Sequence, residues 1–228
     1  MKFSFEVPVE YLDYFTEYQD YIFVLSFMLE NKDYFNYVKK MYNSGKEIVI
    51  DNSSNELNQP ACIEDLLICH NMFPKASIIS PDWLDWGLMK QISQAKILSK
   101  YMSKEKIITP INNINWIEYY YNEGFSNIAM GYNLRYLKPW DLEDLFNCHF
   151  LGLNSIRELF IAEPSSCDTG LPIKLAKQGI NIKTWVSLGC PHDQLETDFF
   201  SLILDQQELT LAKENMQTLK TIGGLINV

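Results

Sequence analysis

The sequence is poor in positive charge. Its 228 residues include 19 lysines and arginines, only two of them arginine (Arg135 and Arg157), against 29 acidic residues, which gives a formal net charge of −10. A chain of this charge repels polyanions as a whole. Any contact with a nucleic acid must therefore depend on a local basic patch.

Signals for metal sites, disulfides and membrane segments are also missing. The five cysteines are odd in number and widely spaced, with no CxxC pair and no Cys/His set at zinc-site spacing. No signal peptide precedes residues 2–7, and no apolar run approaches the about 18 residues that span a bilayer. We expect free thiols, a cytoplasmic location, no structural metal and no membrane partner.

Short apolar runs rich in β-formers recur along the chain, each about 20 to 30 residues from the next. They are nearly continuous in apolar residues, as strands buried on both faces of a parallel sheet require. The predicted strands are 21–28, 47–51, 76–80, 106–110, 127–131, 148–152, 159–163 and 180–185. Segments with apolar residues three and four apart predict helices at 32–43, 62–72, 85–102, 114–124 and 171–179, with one or two more in 193–225.

Eight strands alternating with helices predict an α/β protein, specifically one (β/α)₈ TIM barrel over residues 1–228. The barrel would cover about 20–190, and residues 191–228 would form a C-terminal helical segment that closes it. A doubly wound open sheet is the alternative. The first run is followed by "SFMLENKD" where a nucleotide-binding open sheet would have its glycine-rich turn.

Several acidic residues follow the predicted strands, where a barrel carries its active site. Asp51 ends one strand, Asp82 follows the next, and Asp168 follows the seventh in "CDTGLPIKLA". Each also has an ordinary structural interpretation, because a single Asp is often a helix cap. Asp82 would cap a helix starting near Trp83, and Asp51 would begin an Asx-turn cluster.

Two carboxylates across one site suit chemistry at an anomeric carbon. One attacks or stabilises the oxocarbenium-like centre, and the other exchanges a proton with the leaving group. Binding of Mg²⁺ by the same acids is the rival interpretation, and no DxD spacing supports it.

The order of four motifs resembles that in the tRNA-guanine transglycosylases, and most of all their short phage and bacterial relatives that insert 7-deazaguanines into DNA. The motifs are "VIDNSSNEL", "SPDWLD", "HFLGLN" and "CDTGLPIK" within residues 20–185. The family's Asp-Ser-Gly-Gly-Phe-Gln-like turn is matched from Asp51 to Glu56. Its turn glycines are replaced by Ser53 and Ser54, and its stacking aromatic by Asn55.

The resemblance implies a role for each matched position. Asp168 would be the nucleophile that attacks C1′, and Asp51 would transfer a proton or stabilise charge. The base would be held by residues of the three other motifs: Asp82, Ser80, Gly152, Leu153, Asn52 and Ser53.

The resemblance also implies the partners. The bases exchanged would be guanine and a 7-deazapurine such as preQ0, in a nucleic acid that is DNA rather than tRNA, because the zinc subdomain of the family is absent. No cofactor is implied, and a homodimer or a partner subunit would supply further binding surface.

Two other functions stay open at this point. One is an enzyme that cleaves or exchanges the base of a free nucleoside or nucleotide. The other is a non-catalytic barrel that holds a purine-like ligand for a partner.

Overall fold

In a computed structural model, the protein is an α/β structure built on a parallel sheet. The model describes residues 2–131, apart from 55, 84, 112 and 114, together with 158–162, 182–187 and 203–225. The strands are β1 (Lys2–Glu6), β2 (Ile22–Leu25), β3 (Ile48–Asp51), β4 (Ser77–Ile79), β5 (Ile107–Ile111), β6 (Asn127–Gly131), β7 (Glu158–Ala162) and β8 (Ile182–Ser187). The helices are α1 (Lys32–Asn43), α2 (Ile63–Met72), α3 (Leu88–Leu98), α4 (Trp116–Asn122) and α5 (Gln206–Leu225).

The strands lie in the order β1-β8-β7-β6-β5-β4-β3-β2, and every neighbouring pair is parallel. Each strand from β2 to β7 therefore pairs with its successor in the chain, and β8 pairs with β1. Such pairing brings the carboxyl ends of consecutive strands to one edge of the sheet. The α/β class is confirmed.

Strand β1 was not predicted, and it corrects the expected start of the sheet near residue 20. Phe3 and Phe5 stack with ring centroids 5.9 Å apart and are buried beside hydrophobic side chains of α5. Between them Ser4 is also buried, because the Gln19 side chain bonds to its hydroxyl. Because of this polar residue, the segment lacks the continuous apolar run from which the other strands are predicted.

The two strands at the ends of the sheet order also contact each other. Asp20, just before β2, donates its backbone N–H to the Phe3 carbonyl at 2.8 Å, and its carboxylate accepts the Phe3 N–H at 2.9 Å. Further along, the Phe23 N–H donates to Ser4 Oγ at 3.0 Å. Polar side chains thus connect β1 to β2.

Alternation along the strands divides the apolar residues into two layers. The larger layer lies between the sheet and the helices and includes Ile48 and Ile50 of β3. A smaller cluster occupies the other face: Tyr21, Val49, Ile79, Ile108 and Ala129. Because side chains alternate, Asp51 at the end of β3 is on the same face as Val49.

A buried ion pair lies at the amino-terminal edge of the sheet. Lys183 of β8 is fully buried and donates to Glu47, which precedes β3. Its ammonium lies 5.9 Å from the centre of the Tyr21 ring. Lys2 pairs with the same carboxylate at 3.0 Å.

The helices match the predicted positions with small shifts at their ends. Asn31 caps α1 by accepting the N–H groups of Asp33 and Tyr34. Gly124 follows α4 with φ +82°, the left-handed conformation that ends many helices. Asp205 and Glu208 form a capping box that starts α5.

Some predicted elements cannot be compared. The strand at 148–152, the helix at 171–179 and the segment 191–202 lie outside the described residues. In the described C-terminal part, Ile203 precedes α5 and is 84% exposed, although its side chain is apolar.

Candidate functional site

Polar side chains from two neighbouring strands meet at the carboxyl-terminal edge of the sheet. Asn52, immediately after β3, donates through Nδ2 to the Ser80 carbonyl and to Asp82 Oδ1, both at 2.8 Å. Ser80 and Asp82 follow β4. Because β3 and β4 pair in parallel, with Ile50 opposite Ile78, their following loops begin side by side. Asn52 joins those two loops.

The turn after β3 is held by its own side chains. Asp51 Oδ2 accepts the Ser53 N–H at 2.7 Å, and Asn52 Oδ1 accepts the Ser54 N–H at 2.9 Å. Ser53 has φ +56°, in the left-handed region that favours glycine. Its hydroxyl accepts the Ser26 N–H at 2.9 Å. The Asx-turn interpretation of Asp51 is therefore confirmed, and the Ser53 hydroxyl serves the structure of the turn.

Asp82 is the electrostatically unusual member of this cluster. Burial raises the pKa of its carboxyl to about 6, although hydrogen bonds from Asn52 and from its own backbone amide act to lower it. Among the described residues, no lysine or arginine forms an ion pair with Asp82. Its carboxyl therefore changes protonation near neutral pH, as groups in functional sites often do.

The interpretation of Asp82 as the cap of a helix starting near Trp83 is wrong. Helix α3 begins at Leu88, and its N-cap is Gly87. Asp82 is thus separated from the helix by a loop that contains the turn from Trp83 to Trp86. Its carboxyl contacts Asn52 and caps no helix.

Three buried polar atoms surround the loop that carries Asp82. Ser80 Oγ, Gln91 Oε1 and the Tyr120 hydroxyl have no hydrogen-bond partner in the described part of the chain. Gln91 is tied to the loop, since its Nε2 donates to the Trp83 carbonyl at 3.3 Å. Burial, followed by the negative charge of Asp82, raises the pKa of the Tyr120 phenol above its usual value. Each of these atoms keeps hydrogen-bonding capacity.

Tyr120 and Gln91 were missed as neighbours of the site. The signal for Tyr120 was its position in "EYYYNE", which we interpret as a helix face with packed rings. Tyr120 packs edge-on against Phe125 at 6.2 Å, whereas Tyr119 and Tyr121 are exposed, so only the middle ring is packed. Nothing in the local sequence indicated that the middle ring would face the Asp82 loop.

The structure therefore brings together five of the predicted site residues: Asp51, Asn52, Ser53, Ser80 and Asp82. Asp168, Gly152, Leu153 and the turn residue Asn55 lie outside the described residues. A three-member His, Cys, Asp or Glu cluster suited to a metal ion is not found in the described ranges. In the same ranges, no helix combines the length and the apolar character that crossing a bilayer requires.

Comparison with known proteins adds no family to this geometry. No protein-family model matches the chain, and no curated protein matches it significantly.

Proposed function

We propose that the chain is a purine base-exchange transglycosylase built on a closed (β/α)₈ barrel. The reaction would exchange guanine for a 7-deazapurine at the C1′ of a nucleic acid, with DNA as the proposed polymer. The observation that carries the proposal is the Asn52–Asp82 pair at the carboxyl edge of the sheet, where a carboxylate with a pKa of about 6 has no cationic partner among the described residues.

The strand order supports a closed barrel. The eight described strands follow one another in parallel from β2 to β8, and β1 pairs with β8 while its Phe3 and Ser4 bond to residues around β2. The smaller apolar cluster, which includes Val49 of β3, Ile79 of β4 and Ile108 of β5, is formed from successive strands. The filled interior of such a barrel requires this arrangement. In a closed barrel the carboxyl ends of all strands surround one site.

The chemistry of Asp82 supports a base as ligand. The Watson–Crick edge of guanine presents an N1–H and an N2–H side by side, and an ionised carboxylate accepts such paired donors strongly. Partial burial of Asp82 limits the competition of water for these hydrogen bonds. Asn52 orients the carboxylate by holding Oδ1 at 2.8 Å.

The conformation of Ser53 supports the family resemblance independently of Asp82. Ser53 stands at the position of the first turn glycine in the family, and its φ of +56° is a glycine-like conformation. A serine rarely adopts this conformation without a reason. Here the hydroxyl contact with Ser26 stabilises it.

The proposed reaction proceeds in two displacements. The Asp168 carboxylate attacks C1′, the C1′–N9 bond breaks, and guanine leaves with the bonding electrons and takes a proton. The deprotonated 7-deazapurine then attacks the same carbon and releases Asp168, so configuration is retained. Asp51, on the inner face beside the site, would transfer the proton or stabilise charge. Enzyme and substrates supply every group, so no cofactor is needed.

Base exchange on a free nucleoside is the second candidate. The net charge of −10 favours it, because a small neutral substrate meets no long-range repulsion. Either substrate is consistent with the proposed cytoplasmic location, and the thiols of Cys62 and Cys69 are free.

The test measures incorporation of radiolabelled guanine and preQ0 into single-stranded DNA, duplex DNA, tRNA and free guanosine. We expect incorporation into DNA, and loss of at least a hundredfold in Asp82→Asn, because paired N–H donors then meet an amide instead of a carboxylate. Asp85→Asn, three residues along the same loop and exposed, is the matched control and should keep full activity. Equal activity in the two variants would overturn the proposed role of Asp82, and incorporation into guanosine alone would establish the second candidate.

A covalent intermediate gives a separate test of Asp168. Denatured wild-type protein should carry labelled nucleic acid after incubation without an incoming base, whereas Asp168→Asn should not. Full turnover in Asp168→Ala would refute the nucleophile.

A further inference from the structure

This acidic chain has stretches without acidic residues, and one of them includes α3. From Trp86 to Lys104 there is no Asp or Glu, whereas lysine occurs at 90, 96, 100 and 104. The stretch comprises α3 and the turns on either side of it. Local positive charge of this kind is what nucleic-acid binding would require in a chain with net charge −10.

Two of the four lysines are bound to Glu123 within the protein. Lys96 pairs with the Glu123 carboxylate at 2.7 Å, and Lys104 donates to the Glu123 carbonyl at 2.6 Å. Lys90 and Lys100 are exposed and form no ion pair among the described residues. The positive charge of these two is therefore available to a partner.

Lys90 is also held in place. Its ammonium lies 4.1 Å from the centre of the Trp86 ring, in cation–π geometry. The next residue, Gln91, is buried and bonds to the Trp83 carbonyl, so the first turn of α3 is fixed to the loop that carries Asp82. Lys90 thus lies at the end of α3 nearest the candidate site.

Hydrophobic surface accompanies the two charges. Tyr101 is 63% exposed and Ile97 is 36% exposed, although both are large side chains. Ile97 lies seven residues after Lys90 on the same side of α3, and Tyr101 follows in the turn after the helix. We call the surface formed by Trp86, Lys90, Ile97, Lys100 and Tyr101 the α3 face.

We infer that the α3 face binds the sugar–phosphate backbone of a nucleic-acid strand whose base enters the Asp82 site, an inference that rests on the proposed function. Lys90 lies in the first turn of α3 and Lys100 in the turn after its last residue, Leu98, so most of the helix length, about 12 Å at 1.5 Å per residue, separates them, enough to contact separate phosphates of one strand. Exposed aromatic and apolar side chains beside such charges suit stacking with unpaired bases.

The test compares two double charge reversals by fluorescence anisotropy with a fluorescein-labelled 20-nucleotide single-stranded DNA. The test variant is K90E/K100E, and the control is K32E/K39E on α1, where Lys39 similarly lies over an aromatic ring, that of Phe35. Both variants change the net charge equally. We expect at least tenfold weaker DNA binding for K90E/K100E at 50 mM salt and less than threefold for the control.

Salt dependence provides a second readout from the same titrations. Each phosphate contact on a single strand contributes about 0.7 to the slope of log K against log salt concentration. We expect the slope to fall by about 1.4 in K90E/K100E and to stay unchanged in K32E/K39E.

Free guanine binding separates this inference from the proposed function. K90E/K100E should bind guanine like wild type, and Asp82→Asn should bind DNA like wild type but lose guanine. DNA binding that is equal in the two charge-reversal variants would overturn the α3 face even if guanine binds. Binding to phosphatidylserine vesicles without binding to DNA would overturn it in favour of a membrane surface. Lysine-dependent DNA binding without guanine binding would support the face and refute the proposed function.

Discussion

Two carboxylates at opposite edges of the sheet respond to burial in opposite ways. Burial raises the pKa of Glu47 at the amino-terminal edge, but hydrogen bonds and charges from Lys183 and Lys2 outweigh it, so the pKa is lowered overall. Burial also raises the pKa of Asp82 at the carboxyl-terminal edge, and there the Asn52 amide only partly compensates. The difference is that two lysines pair with Glu47, whereas no lysine or arginine in the described ranges pairs with Asp82.

That difference separates a carboxylate that stabilises the fold from one available for chemistry. Glu47 is permanently ionised at neutral pH, and its charge neutralises a fully buried lysine. Asp82 changes protonation near pH 6 and makes its described contact with a neutral amide. Removing the charge should therefore harm the protein at one edge and stabilise it at the other.

The largest effect is expected for Glu47→Gln, which removes the carboxylate that neutralises the buried Lys183. We expect the free energy of unfolding to fall by about 3 kcal/mol at pH 7, because losing one partner of a buried pair is strongly destabilising. The loss should shrink in acid, since the stability given by a lowered pKa is present above the unfolded value and disappears as pH falls through the folded one. Urea unfolding against pH measures both, with exposed Glu118→Gln as the control. A loss of less than about 1 kcal/mol would show that the Glu47 carboxylate does not stabilise the fold, and the contrast with Asp82 would be wrong.

The next effect is a gain in stability. Asp82→Asn removes a charge that the folded protein disfavours, so we expect it to raise the free energy of unfolding by about 2 kcal/mol at pH 8. The raised pKa means that wild-type stability declines as pH rises from about 4 to about 6, and the variant should lack this decline. Thermal and urea unfolding at pH 4 and pH 8 give the measurement. Destabilisation at pH 8 would show that the charge is compensated.

A smaller effect is expected from the amide between the two loops. Asn52→Ala removes the hydrogen bonds to the Ser80 carbonyl and to Asp82, which should reduce stability by about 1 kcal/mol. It should also raise the pKa of Asp82 further, because a bond to the ionised form is lost. NMR titration of the Asp82 carboxyl carbon follows this directly. An unchanged titration midpoint would contradict the proposed orientation by Asn52.

The smallest effect is expected at Ser80. Its buried hydroxyl has no partner among the described residues, so Ser80→Ala should change the free energy of unfolding by less than about 0.5 kcal/mol. Affinity for guanine, measured by calorimetry, should fall more than stability if the hydroxyl contacts the base. Equal affinity would remove Ser80 from the proposed site.

The sequence predicts most of the sheet and part of the site for identifiable reasons. Continuous apolar runs locate β2 to β8 because strands buried on two faces leave little room for polar residues. The meeting of Asn52 with Asp82 follows from two consecutive parallel strands. Strand β1 does not follow this rule, because it contains the buried polar residue Ser4. The Ser4 hydroxyl donates to Gln19, a partner that no local sequence pattern reveals.

Electrostatic properties are the part that local sequence could not supply. The pKa of Asp82 depends on its burial and on the lack of an ion pair with a described lysine or arginine. Tertiary packing decides both. The pairing of Lys183 with Glu47 needs the β1–β8 and β2–β3 registers at once. The sequence identifies the acidic residues, but only the tertiary structure distinguishes the role of Glu47 from that of Asp82.

The pairing of β1 with β8, in which Lys2 lies opposite Lys183, governs how the chain can fold during synthesis. Strand β1 has no parallel ladder partner until β8, the last described strand in the chain, has been synthesised. Contacts between such distant segments form slowly because closing a long loop is entropically unfavourable. Completion of the sheet therefore waits for β8, and in the interval the exposed edge of β1 needs protection from pairing with other chains.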